Sequence, residues 1–189
     1  MKTSILTPIL VLSSIILLAG DPMRAQAGEV YCEVMSIQGT ASVIQNGSAA
    51  SMKRGDHLKA GDSIKVGDNS YVDIAYDKAW KNVTRVRENS RVRIGSIEPT
   101  HLDMKQGDIF SRIKALPKNS SFEIQTPTAI AAVRGTEFRT ITEAGGKTEI
   151  HNLSELPASQ VEVFGLDAFG NKQLTPLILG VEKKTEVPK

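Results

Sequence analysis

The sequence predicts an all-β protein built of short strands, either stacked as a compact β-solenoid or packed as a sandwich. Three observations predict this class. Apolar and polar residues alternate with a period of two, Gly and Asp turn signals recur at short intervals, and residues 28–189 show no long apolar stripe at helical spacing. Alternation of this kind puts every second side chain on one buried face. An α/β fold would need helical patterns between the strands.

The alternation is clearest in five short segments. They are Tyr71–Tyr76, Val83–Arg87, Arg91–Ile94, Phe122–Gln125 and Glu137–Thr142. Two further strands are predicted near the end of the chain, at Gln160–Phe164 and Leu174–Val181. Because the segments are short and separated by turn residues, a sandwich, a barrel or a short solenoid is favoured.

Gly-Asp pairs punctuate the first half of the chain. Three of them, at 55–56, 61–62 and 67–68, are spaced six residues apart, and a fourth follows at 107–108. Glycine tolerates a positive φ, and aspartate accepts a hydrogen bond from a nearby backbone N–H. Each unit is a turn followed by one apolar residue, a spacing that suits the rungs of a solenoid. One carboxylate per turn is too few for a calcium site.

The first 27 residues have the layout of a secretory signal peptide with a helical core. Lys2 supplies the positive start, Ile5–Ala19 is apolar, and Ala25-Gln26-Ala27 is a small-x-small cleavage site. The apolar run is shorter than the ~20 residues of a spanning helix. We therefore expect a periplasmic or secreted protein, with no stable membrane span after cleavage; an uncleaved anchor is the alternative.

Charge and cysteine content argue against several classes of function. Removing Lys2, Arg24 and Asp21 from the 23 basic and 21 acidic residues leaves 21 and 20, so nucleic acid is not an expected partner. The basic residues between Lys78 and Arg93 alternate with apolar ones, which is typical of a solvated strand face. The single cysteine, Cys32, is expected to pack in the first strand, and a disulfide between two chains is the alternative.

The sequence predicts no enzyme, cofactor or metal site. His57, His101 and His151 lie far apart in polar, turn-like contexts. The chain has no Gly-x-Ser-x-Gly nucleophile elbow and no His-Glu-x-x-His zinc motif. We therefore expect a non-catalytic protein.

Two segments resemble the FecR domain, the periplasmic module of iron-transport signalling regulators. The first runs from Ile37 to Val43 and continues with the turns at Gly55-Asp56 and Gly61-Asp62. The second, Phe122–Phe138, is similar to the family's signature, centred on Thr-Pro and Val-Arg-Gly-Thr. The resemblance covers residues 37–142. We expect a FecR-like β domain at 28–145, a C-terminal β extension at 146–182 and a loose tail at 183–189.

The chain departs from the family pattern in two places. The family has an Asp-Gly-Ser hairpin turn after the strand equivalent to Val72–Tyr76, whereas here Asp77 is followed by a longer loop that carries Trp80, the only tryptophan. FecR regulators also carry a cytoplasmic anti-sigma segment, where this chain has a signal sequence. The resemblance therefore implies the domain but not direct contact with a sigma factor.

Six residues of the signature run are the structural candidates. Thr126 and Pro127 fix an extended segment, Gly135 is expected to allow a turn that a β-carbon would forbid, and Thr136 follows it. We expect the Arg134 guanidinium to tie neighbouring segments together with Glu137 as its partner. An acidic ligand held by Arg134 is the alternative.

A possible interaction site is formed by the aromatic residues Tyr71, Tyr76 and Trp80. Trp80 is expected to fold back over the core edge unless it is a binding anchor. The leading function is an envelope module that binds another protein, or itself, through an exposed edge strand. A glycan-binding or small-ligand module is the second possibility, if the three aromatic residues line one open face. A self-assembling structural subunit is the third.

Overall fold

The structure, a computed structural model, describes residues 31–118 and 120–189. The predicted signal helix and the cleavage site lie outside the described residues. Within them every regular element is a β-strand, so the all-β class is confirmed. The same residues contain no helix of the length and apolar character that a membrane crossing needs.

The described residues form fifteen strands. They are β1 (Glu33–Gln38), β2 (Ala41–Gln45), β3 (Ser48–Ser51), β4 (Ser63–Val66), β5 (Tyr71–Ala75), β6 (Asn82–Arg87), β7 (Arg91–Ile97), β8 (Thr100–Ile113), β9 (Phe122–Gln125), β10 (Ala129–Val133), β11 (Glu137–Thr142), β12 (Thr148–Asn152), β13 (Val161–Gly165), β14 (Leu177–Leu179) and β15 (Lys184–Val187).

The strands form one open sheet with two wings that share the long strand β8. In the first wing the order is β1-β5-β6-β8-β11-β12-β15. In the second wing the order is β14-β13-β10-β9-β8-β7-β4-β2-β3. The N-terminal half of β8, up to Gln106, pairs with β7 and β9, and the half from Gly107 pairs with β6 and β11.

Both wings contribute side chains to one hydrophobic core. The inward residues of β5, β6 and β11 belong to the first wing, and those of β4, β7 and β9 to the second, yet all join the same buried cluster. Phe122 of β9 and Phe138 of β11 meet edge to face with their ring centroids 6.1 Å apart. The predicted alternation is visible in β7, where Val92 and Ile94 are buried between exposed arginines.

The expectation of a solenoid or a sandwich is not confirmed. The strand pairs are antiparallel except β8 with β9, whereas stacked solenoid rungs pair in parallel. The Gly-Asp units nevertheless make the predicted local turns. Asp56 Oδ2 accepts a hydrogen bond from the N–H of Lys53 at 2.7 Å, and Asp62 Oδ2 accepts one from Lys59 at 2.8 Å. The motif therefore specifies turns and not a repeat architecture.

The last residues of the chain, expected to be a loose tail, contain a strand. Residues 184–187 form β15, which pairs with β12 from Thr148↔Val187 to His151↔Lys184. The expected boundary between residues 145 and 146 falls in the turn that joins β11 to β12. The charged residues of the tail point outward while its backbone completes a sheet edge, and a charge pattern alone does not show that pairing.

Burial makes Cys32 chemically inert in the folded protein. The side chain is 2% exposed, and desolvation raises the pKa of its thiol to about 12. Since the thiolate is the reactive form, we expect an aromatic disulfide reagent at about pH 8 to modify Cys32 only after unfolding in urea. Absorbance of the released thiolate measures this, with Cys32→Ser as the blank. Reaction of the native protein at the rate of a free thiol would contradict the burial.

Candidate functional site

The signature run lies where the chain passes from one wing to the other. Thr126 and Pro127 form the turn between β9 and β10 of the second wing. Residues 134–136 then lead from β10 to β11, the first strand after this crossing, which belongs to the first wing. All five residues of β10 are buried, so the run crosses the centre of the molecule.

A buried group of threonines holds the turn at Thr126. Thr126 Oγ1 donates to the carbonyl of Ala129 at 3.0 Å and accepts from the N–H of the same residue at 2.9 Å. It also accepts a hydrogen bond from Thr148 Oγ1, at 2.9 Å, and Thr128 Oγ1 donates to Thr148 at 2.9 Å. Thr126 is 3% exposed, and Pro127 is exposed beside it. The Thr-Pro pair is therefore a structural element that ties β10 to β12.

Thr136 has a similar structural role at the crossing. Its hydroxyl donates to the carbonyl of Gln160 at 3.1 Å, and its own carbonyl accepts from Ile113 at 3.1 Å. Gly135 does not behave as expected. Its φ lies outside the left-handed region, and an added β-carbon would come no closer than 4.0 Å to the carbonyls of Ile113 and Lys114. The prediction that a β-carbon is forbidden at Gly135 is wrong.

Arg134 is exposed and lines a cleft of about 590 Å³. The predicted pair with Glu137 is absent, and Arg134 makes no ion pair with any residue in the part of the chain that the structure describes. Glu137 lies instead on β11, opposite Arg112 of β8. Across the cleft, Lys172 Nζ sits 3.5 Å from the centroid of the Phe164 ring. The cleft also contains Glu123 and Glu162, so its charge is balanced.

The three aromatic residues predicted to form an interaction site do not share one face. Tyr76 packs inward, with its ring 5.4 Å from that of Phe122, and burial raises the pKa of its hydroxyl. Tyr71 lies on the outer face of the first wing, covered by the Arg85 guanidinium at 4.2 Å. This separation removes the open aromatic face on which the glycan-binding alternative depended.

Trp80 is exposed and does not fold back over the core edge. Its side chain is 47% exposed, and its φ is +55°, in the loop that replaces the family's hairpin turn. Asp77 organises this loop, because its carboxylate accepts hydrogen bonds from the N–H groups of Ala79, Lys81 and Asn82 at 2.7–3.1 Å. The expectation that Trp80 caps the core is therefore wrong.

Exposed apolar side chains are concentrated at β14 and in the connection before it, a region that the sequence predicted only as a strand. Leu177 is 52% and Ile178 44% exposed, although neighbouring residues of a strand point to opposite faces. β14 pairs with β13 on one side only. In the β13–β14 connection Phe169 and Leu174 are 91% and 98% exposed. The signal for this surface in the sequence was the run of consecutive apolar residues Leu177-Ile178-Leu179, where a strand with one buried face would alternate apolar and polar residues.

Ion pairs join neighbouring strands on the outer face of the first wing. Asp108 of β8 binds the Arg139 guanidinium through both oxygens, at 2.8 and 2.7 Å, and Arg87 at 3.1 Å. The pair with Asp108 raises the pKa of Arg139. Asp73 holds Arg85 in the same two-pronged way, at 2.7 and 2.9 Å. These arginines are occupied by carboxylates of the chain itself.

Histidines and carboxylates are dispersed over separate strands. His101 lies 3.1 Å from Asp103 and 3.5 Å from Glu123, whereas His151 contacts Glu149 at 3.4 Å. His57 meets the Tyr31 ring edge to face. In the described part of the chain the histidines do not converge on one another.

One comparison with known proteins gives a match. A model of the family described as FecR protein matches residues 58–154, about half of the chain. The matched region starts at Leu58, later than the resemblance seen in the sequence, and extends through β12 to Ser154. No curated protein matches the chain.

The hydrogen bonding of the buried threonines predicts different effects on stability for two similar substitutions. Thr126→Val leaves the Ala129 N–H without its acceptor, so we expect a loss of about 1–3 kcal/mol in the free energy of unfolding. Thr140 is also buried, but its hydroxyl has no hydrogen-bond partner among the described residues. Thr140→Val should therefore leave stability unchanged or raise it. Urea denaturation measures both variants, and equal losses would contradict the assignment.

The geometry of Gly135 predicts that alanine is tolerated there. Gly135→Ala should change the free energy of unfolding by less than about 1 kcal/mol. Gly107 is the matched control, since its φ is +124° and an added β-carbon would lie 2.1 Å from Ser90 Oγ. Gly107→Ala should cost more than about 1 kcal/mol. If thermal or urea unfolding showed the same loss for both variants, the signature glycine would have a backbone role after all.

Proposed function

Because the chain belongs to the FecR family, we propose that it is a non-catalytic, signalling-associated module of the cell envelope that binds another envelope protein through strand β14. An extended segment of the partner would pair with the free side of β14. The observation that carries this proposal is an apolar, uncovered edge strand at the end of the second wing.

Edge-strand pairing suits the chemistry of β14. An added strand gains main-chain hydrogen bonds with little demand on its sequence, and the side chains around it supply specificity. Leu177 and Ile178 are exposed on opposite faces, so a partner strand would cover apolar surface on both. Leu179 is buried, and its carbonyl accepts a hydrogen bond from Asn152 Nδ2 at 3.0 Å, which fixes the end of the strand.

The other sheet edges of the described structure are less suitable. The outer side of β1 is occupied, since Val34 exchanges hydrogen bonds with Gly55 and Asp56 at 2.8 and 3.0 Å. β15 carries Lys184 and Glu186, and charges on an edge discourage pairing. β3 has only serine and alanine side chains, which offer little apolar surface. β14 is thus the edge that combines a free side with large apolar groups.

The connection before β14 adds anchors to this edge. Phe169 is held in a tight turn in which Asp167 accepts hydrogen bonds from its N–H at 2.9 Å and from the Asn171 N–H at 2.8 Å. Hydrogen bonds, first that from the Asn171 side chain, lower the pKa of Asp167. A preorganised loop loses less entropy on binding than a mobile one. We assign to the side chains of Phe169 and Leu174 the role of binding an apolar surface of the partner.

The proposed location follows from the first 27 residues. The signal sequence would export the protein to the periplasm or beyond, which is the compartment where we expect an envelope partner of a FecR-family protein. Self-assembly would use the same edge, β14. The recovery experiment below distinguishes it from binding to another envelope protein. A glycan-binding role has lost its main support, because Tyr76 packs inward.

We expect the tagged mature protein to recover one envelope protein, in near-equal amount, from cross-linked envelope. Leu177→Glu combined with Ile178→Glu should abolish recovery, because two carboxylates would be desolvated in the added strand. Mass spectrometry identifies and quantifies the recovered protein. Ile44→Glu is the control, since Ile44 is 38% exposed on β2, near the opposite end of the second wing.

The thermal unfolding temperature of each variant shows that the fold is intact before recovery is compared. Recovery of the chain's own copies alone would replace the proposal with self-assembly. Recovery of the same partner by the β14 double variant would show that the partner binds elsewhere.

A further inference from the structure

A second surface of different chemistry lies on the outward face of the second wing. Lys65 of β4, Arg91 of β7 and Lys105 of β8 are exposed there on three adjacent strands, and we name these three residues the basic patch. None of them makes an ion pair with any residue of 31–118 or 120–189. Arg93, beside the patch, is bound to Asp103 at 3.2 Å.

The arrangement of the basic patch opposes folding. Lys65 and Arg91 are direct cross-strand partners, and like charges in this position destabilise a sheet. In the first wing, by contrast, the outward Arg85 and Arg139 each have an aspartate on a neighbouring strand. The basic patch therefore carries a repulsion that no ion pair with a described residue offsets, and an anionic partner would reduce it.

The third cation of the patch, Lys105, lies at a β-bulge. Arg91 pairs with Gln106, whereas the next residue, Val92, pairs with Met104, so Lys105 is the extra residue of β8. Bulges redirect side chains and are frequent beside functional sites. A regular ladder continued from Val92 and Met104 would also place Lys105 opposite Arg91, so Lys105 stays beside the Lys65–Arg91 pair although the bulge shifts the direct partner of Arg91 to Gln106. Two irregular features, the bulge and the like-charge pair, thus meet at one place.

We infer that the basic patch binds an extended acidic segment of a partner protein. Neighbouring strands are about 4.8 Å apart, so the patch spans about 10 Å across the strands. Acidic side chains at alternate positions of an extended segment repeat every ~7 Å, and the long side chains of lysine and arginine accommodate the difference. Hydrogen bonds between ions of opposite charge are stronger than neutral ones, and arginine can bind a carboxylate through two of them.

The surroundings of the patch favour a peptide over other anions. A shallow depression of about 440 Å³ adjoins the three cations, and its apolar wall includes Ile44, which is 38% exposed. None of its lining residues is aromatic, so sugar rings would lack a stacking surface. One half-exposed isoleucine is too little apolar area for insertion into a lipid surface. Main chain and small side chains of a peptide fit such a depression.

This inference does not rest on the proposed role of β14. Strands β9, β10 and β13 separate the patch from β14 in the order of the second wing. The two surfaces can therefore be altered independently, and a failure of one leaves the other untouched.

The test uses the mature protein and a labelled peptide of alternating glutamate and serine, about twelve residues long, with a lysine-serine peptide as the control ligand. Fluorescence anisotropy should show binding of the acidic peptide, weakening as salt is raised. Arg91→Gln with Lys105→Gln should weaken binding by about tenfold or more, which corresponds to the loss of one charge-assisted pair. Lys53→Gln with Lys114→Gln is the control, since it removes the same charge from exposed lysines elsewhere.

A structural role for the patch would give a different result from a binding role. The patch variant should unfold at the same temperature as the wild type or a higher one, because it removes repulsion. Equal weakening by both double variants would overturn the inference in favour of unspecific charge attraction. The inference is also overturned if the acidic peptide does not bind, or if vesicles of phosphatidylglycerol bind at the patch and the peptide does not.

Discussion

Strand β8 forms ladders with four other strands, two through each half, and the change of partners takes place at Gly107. The backbone there has a φ of +124°, and its Cα lies so close to Ser90 that no β-carbon would fit. The Ser90 hydroxyl accepts a hydrogen bond, at 3.0 Å, from the N–H of Asp108, the residue after Gly107. This junction lets one strand serve two wings. The single core, with Phe122 from one wing against Phe138 from the other, depends on it.

The two wings use their outer faces differently. On the first wing, Asp73 and Asp108 neutralise Arg85, Arg87 and Arg139 beside them. The second wing has an apolar edge at β14, and it carries cations on β4, β7 and β8 that form no ion pair with the described residues. The signature run joins the wings and is largely structural, because Thr126 and Thr136 are both buried and hydrogen-bonded. The signature run and the surfaces suited to binding are thus different parts of the molecule.

Local features were predictable from the sequence, and long-range ones were not. Period-two alternation identified strands such as β7 and β11, and the Gly-Asp pairs identified turns closed by Asp56 and Asp62. Pairing between distant strands leaves no mark in a single segment, so neither the division of β8 between two wings nor the pairing of β15 with β12 could be predicted. For the same reason the expected Arg134–Glu137 pair was wrong. Closeness in sequence suggested it, but β11 directs Glu137 towards β8.

The shortness of β14 has a mechanical consequence. Three residue pairs join it to β13, whereas β8 is held along fourteen residues by strands on both sides. A partner strand added to β14 could pull it away from the sheet. Such a force would break the three β13–β14 pairs one after another and not all at once. The remaining ladders of the second wing would carry little of the load. β14 would therefore detach from β13 at a low force while the core stayed folded. The force that the module and its partner can transmit would be limited by these three residue pairs.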